Sequence, residues 1–154
     1  MAKQDRIINQ LFLLVQDAIP VRGTRFISAI VDKSRIIAYG TNQAKTHTFQ
    51  LEYNTQSRHT LLSKDISYFK DTLEKYSFDI HSETDAIRNA IARVGLDRVA
   101  KCDIYVVRVK LDQDKFTYGN AKPCKGCFSA IESFGLNNLY YTTDTGTVER
   151  IRLN

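Results

Sequence analysis

Histidine and cysteine each occur only three times in this chain, and no apolar run approaches the roughly 20 residues a helix needs to cross a bilayer. The last absence excludes a helical membrane span. The N-terminal "MAKQDRIINQ" places Asp5 and Asn9 where a secretory signal needs an uninterrupted apolar stretch, so the expected location is the cytoplasm. Three cysteines, Cys102, Cys124 and Cys127, cannot all pair with one another, and 154 residues need no disulfide staple. Internal repeats, low-complexity tracts and runs of like charge are also absent. The excess of 22 Lys+Arg over 17 Asp+Glu, a net charge of +5, is scattered among acids rather than gathered into a basic arm. An anionic partner, mononucleotide or nucleic acid, stays open.

What is present suffices for one domain over residues 1–154, since 43% of the chain is hydrophobic. Ile7, Ile8, Leu11, Leu14, Val15 and Ala18 have helical spacing, ended by Pro20 and Gly23. The β-branched runs "RFISAIVD" and "SRIIAYG", joined by "DKS", predict an antiparallel hairpin from about Thr24 to Tyr39. An insert of about 43–80 is polar, with one helix expected in "SKDISYFKDTLEKY" behind a Ser63 cap. Next come a helix in "SETDAIRNAIARVG" stopped by Gly95, a strand in "CDIYVVRVKL" and a turn in "DQDKFTYGN". A short helix in "CKGCFSAIESFG", a strand in "NLYYTT" and an alternating last strand in "TVERIRL" complete a sheet covered by helices.

Chemistry concentrates in "PCKGC". The proline suits a helix start, and cysteines three apart place both sulfurs on one face of a first turn. Partial positive charge at a helix N-terminus favours thiolate over thiol, hence metal binding. Two thiolates and one neutral imidazole fill three positions of a tetrahedral zinc and leave the fourth for water, as in catalytic sites. His81, at the start of an earlier helix in "DIHSETDAI", is the best candidate for the imidazole. Glu83, two residues on, is placed to exchange protons with that water.

These residues form the H-x-E and P-C-x-x-C signature of zinc nucleobase deaminases, here "HSE" and "PCKGC". The chain resembles the cytidine and deoxycytidylate deaminase superfamily, including small deaminase-like proteins carried by phages, over most of its length apart from the insert. The resemblance implies a three-layer α/β/α sandwich with a mixed central sheet of about five strands. It further implies Zn2+ held by His81, Cys124 and Cys127, with Glu83 as the catalytic proton shuttle. Asn42 of the Gly40-Thr41-Asn42 run, Ser82 and Pro123 become candidate substrate contacts. The implied reaction is hydrolytic deamination of a cytosine nucleotide or nucleoside, dCMP to dUMP above others, in a homo-oligomer. Ser82 stands where alanine is commonest, and Lys122 where many relatives have glutamate. The antiparallel ending resembles the cytidine deaminase branch, whereas a histidine ligand is more familiar in deoxycytidylate and tRNA deaminases.

Other readings weigh less. A thioredoxin-like pair would follow an early strand, which "PCKGC" does not. A structural zinc could take Cys102 as fourth ligand, but that residue reads better as a small buried one. His47 and His59 read as surface residues before they read as a second zinc site. Tyr140, Tyr141 and Phe128 read as core aromatics. Arg22, Arg25, Lys45 and Arg58 are candidates for a substrate phosphate. Action on a base within single-stranded DNA or RNA predicts a continuous basic groove. A noncatalytic zinc module would have no use for Glu83.

Overall fold

The computed structural model describes residues 2–21, 23–46 and 79–153. Helix α1 (Lys3–Val15) buries Ile7, Ile8, Leu11 and Val15. It ends before the expected Ala18, where burial thins out: Leu14 is 45% exposed, Ile19 84%, and Ala18 packs only partly buried against the core. With little apolar surface to bury, a further helical turn has little to hold it.

Strands β1 (Arg25–Asp32) and β2 (Arg35–Thr41) make the predicted hairpin, turning at Lys33 with a φ of 58°. β3 (Gln43–Thr46) and β4 (Asp79–Ile80) pair antiparallel and bring the two described ends of the insert together. Strands this short leave no alternation to read in a sequence. The helix expected in "SKDISYFKDTLEKY" lies outside the described residues.

α2 (Ser82–Val94) stops at Gly95 as expected, with Gly95 itself the C-cap at φ 86° and ψ 163°, a backbone conformation open to glycine. A single turn, α3 (Leu96–Val99), leads into β5 (Asp103–Asp112). The "DQDKFTYGN" segment is more than the turn expected of it. Gln113 and Asp114, at φ 49° and 63°, make a tight turn, and β6 (Lys115–Gly119) then runs back along β5. Its lysine, threonine and glycine conceal an edge strand that buries little. α4 (Lys125–Ser133), β7 (Asn138–Thr142) and β8 (Val148–Arg152) complete the chain.

The main sheet is six-stranded, in the order β2-β1-β5-β7-β8 with β6 on β5. It is mixed, since β7 runs parallel to β5 and the other pairs are antiparallel. The strand beyond the five expected is β6. Alternation along β1 and β5 sends Ile27, Ala29, Val31, Tyr105, Val107 and Val109 to one face, under α1. Ile30, Ile104 and Val106 face the other way, into a core shared with α2 and α4. Helices therefore cover both faces, the three-layer arrangement the resemblance implies.

Candidate metal centre and active site

The starts of α2 and α4 meet over this second face, and both carry metal-ligating side chains. His81 is the N-cap of α2 and Cys124 the N-cap of α4, each with extended backbone. Cys124 therefore stands just ahead of the helix rather than within its first turn, and Pro123 lies outside the helix altogether. The extended ψ of 168° at Cys124 accounts for this, because helical hydrogen bonding begins only after it. From the cap position the Cys124 sulfur accepts the Cys127 backbone N–H at 3.5 Å. His81 makes no such capping bond. Its ring turns to the sulfurs instead, with Nδ1 at 3.2 Å from Cys127 Sγ and 3.5 Å from Cys124 Sγ.

The ligand atoms of His81, Cys124 and Cys127 all lie within 4.8 Å of one another. Zinc bonds of about 2.0 Å to nitrogen and 2.3 Å to sulfur make a tetrahedral N–S edge of roughly 3.5 Å, so the spacing fits one ion. The donor set agrees. The exposed Cys124 thiol is held down to about 4 by hydrogen bonding with Cys127 and then with His81, against the desolvation its neighbours impose. This favours the thiolate, the form a metal requires. Cys102 is not in this group: it is buried and donates its S–H to the Arg98 carbonyl at 3.2 Å.

Glu83, 5% exposed, follows in the first turn of α2. Burial pushes its carboxyl up from the ordinary carboxylate range, while the nearby His81 ring pulls it down. The Ser82 hydroxyl donates to Glu83 Oε1 at 2.9 Å, and Ser28 of β1 lies 2.8 Å from Ser82 Oγ. The side chain of Ser82, a candidate substrate contact, is therefore turned to Ser28 and Glu83. Asn42 is also held locally, accepting from the Phe26 backbone N–H at 3.0 Å and donating to the Thr24 carbonyl at 3.1 Å. Pro123 is half-buried beside Cys124.

Asp85 fastens this assembly to the sheet. Its buried carboxylate accepts from the Thr41 backbone N–H at 3.1 Å, Gln43 Nε2 at 3.0 Å and Arg88 Nη2 at 3.0 Å. The end of β2 is thereby tied to the helix turn that carries Glu83. Nothing in the sequence marks Asp85 beyond its place in a helix's first turn, where the dipole favours any acid.

A family model described as the cytidine and deoxycytidylate deaminase zinc-binding region matches residues 1–143. The chain belongs to this family. No curated protein matches its sequence. As a member it is a zinc-dependent hydrolase of the cytidine/deoxycytidylate deaminase type, with a His81–Cys124–Cys127 group positioned for the metal.

Of the basic residues considered for a phosphate, Arg25 is engaged on the far face of this deaminase, where its Nε donates to the Ala18 carbonyl and its guanidinium covers Phe116. Arg22, Arg58, His47, His59 and the side chain of Lys45 lie outside the described residues. Sequence reading missed Arg108. It continues the Ile104–Val106 face of β5 and pairs with Phe26, one step along the sheet from the Val106–Ser28 pair. Its guanidinium stands 5.5 Å from the Phe26 ring centre, and its Nε is buried with no hydrogen-bond partner among the described residues. A lone arginine inside a β-branched run was the available signal. Tyr140 is buried against Tyr105, and Phe128 and Tyr141 pack against the core, as expected of core aromatics.

Proposed function

We propose that this deaminase converts a free cytosine nucleotide to the corresponding uracil nucleotide with release of ammonia, dCMP to dUMP being the preferred conversion. The observation that carries this reading is a buried carboxylate, Glu83, two residues from His81 in the three-ligand group. His81 Nδ1, Cys124 Sγ and Cys127 Sγ would hold the zinc. When bound, the metal supplies the Lewis acidity that brings a water molecule's pKa toward about 7.

Glu83 moves the protons. With Oε1 engaged by Ser82, Oε2 takes a proton from water and delivers it to N3 of the cytosine ring, which makes C4 electrophilic. A second transfer through the same carboxyl reaches the departing amino group. Water's oxygen thus replaces ammonia at C4. The burial that raises the Glu83 carboxyl suits a group that must both take and give a proton near neutral pH.

Asn42 and Pro123 are assigned to the substrate's edge, whereas the Ser82 hydroxyl is assigned to Glu83. A nucleotide rather than a nucleoside is supported by Arg108, a cation on the site's face of the sheet whose Nε lacks a partner among the described residues. Self-association is carried over from the resemblance. A reducing compartment such as the cytoplasm suits three free cysteines, two of which must stay reduced to hold a metal.

The second reading, a base within single-stranded DNA or RNA, is compatible with the antiparallel β7–β8 ending and the net charge of +5. Ammonia release from dCMP, CMP, deoxycytidine, cytidine and a cytosine-containing oligonucleotide decides between the two. Turnover of dCMP that Glu83→Gln abolishes is the expected result. Turnover of the oligonucleotide alone would replace it with the second reading, and a fully active Glu83→Gln enzyme would remove the mechanism.

A further inference from the structure

We propose that Ser28 and Ser82 are a positioning pair for Glu83: a two-hydroxyl chain from the central sheet that engages Oε1 and leaves Oε2 to move protons. The inference rests on Glu83 being the proton carrier.

Ser28 lies mid-strand in β1 among buried apolar residues, and both it and Ser82 are 0% exposed. Hydroxyls in such places need partners, and these have each other, at 2.8 Å, and the carboxylate, 2.9 Å from Ser82 Oγ. A count of protons sets the direction. An ionised carboxylate only accepts, so the single Ser82 proton goes to Oε1, and Ser28 must donate its own proton to Ser82. Each link therefore supports the next, and the one that reaches charge belongs to the stronger class of hydrogen bond.

Geometry gives the chain its purpose. A glutamate in a first helical turn has several rotatable bonds, and a carboxylate held by one oxygen keeps fewer of its orientations. The anchor is also rigid, because Ser28 belongs to a strand paired on both sides, with β2 and with β5. An alanine at position 82 would offer no such hydroxyl.

The test is kcat, KM and zinc per chain for wild type, Ser82→Ala, Ser28→Ala and the double variant, with Glu83→Gln beside them. Ser82→Ala is expected to lower kcat about ten-fold with KM and zinc content unchanged, since only orientation is lost. Ser28→Ala should lower kcat about three-fold alone and not at all in the Ser82→Ala background, because it acts through Ser82. Ser28→Thr, which keeps the hydroxyl, should restore kcat. A crystal structure of Ser82→Ala should show the Glu83 carboxyl in more than one orientation, against one in wild type. Equal losses from Ser28→Ala in both backgrounds, or an unchanged kcat in Ser82→Ala beside an inactive Glu83→Gln, would overturn the inference and leave the deaminase mechanism standing. An active Glu83→Gln would instead remove the mechanism beneath it.

Discussion

Gly40 has no room for a side chain. A Cβ there would run into the Ala86 backbone nitrogen and stand 2.5 Å from the Ser82 carbonyl oxygen. The close approach of β2 to the first turn of α2 depends on this glycine, so Gly40→Ala should cost about 1–3 kcal/mol, measured by urea denaturation. It should also lower kcat/KM by roughly ten-fold or more, since displacing that turn displaces His81 and Glu83. Cys124 gives a pH-dependent expectation. Its thiol falls from an ordinary 9.0 to about 4 in the folded chain, so its contribution to metal-free stability is full above pH 9.0 and lost as pH falls toward about 4. The Tm of zinc-stripped wild type should therefore decline over that range more steeply than the Tm of Cys124→Ser.

Among elements, the junction of β2, β3 and α2 is held by one carboxylate. Asp85→Ala would leave the Thr41 N–H, the Gln43 amide and the Arg88 guanidinium without the acceptor they share. Unmet donors at a buried position should cost about 2–3 kcal/mol, and Asp85→Asn, which keeps an acceptor oxygen, should recover part of it. Denaturant midpoints of the two variants check this. Facing helix starts explain why the ligands come from distant parts of the chain. Each supplies a residue at its N-cap, where a side chain is free to turn outward before the helix begins.

For the molecule as a whole, zinc should be a stabilising ligand, because the three donors meet only in the folded chain. At a free zinc concentration a thousand times the Kd, the gain is about 4 kcal/mol, visible as a fall in Tm on chelation and its return on adding zinc. Glu83→Gln should keep this response. Cys127→Ala should lose it, and a chelator-insensitive wild-type Tm would show that metal and fold are not coupled.

The sequence by itself determined most of the elements and the residue types that could hold a metal. Apolar periodicity is a local property, so α1, α2, α4 and the strands of the main sheet other than β6 could be read from it, as could the metal-binding residue types in "HSE" and "PCKGC". Only the tertiary structure decided what depends on distance across the fold. It placed His81 Nδ1 against two sulfurs more than 40 residues away and bonded Ser28 to Ser82 across 54. It bound Asp85 to the end of β2 and showed Gly40 to be the place where strand and helix touch. Serine, aspartate, glycine and arginine are common in turns, caps and surfaces, so their residue type says little until packing has removed water and set their partners.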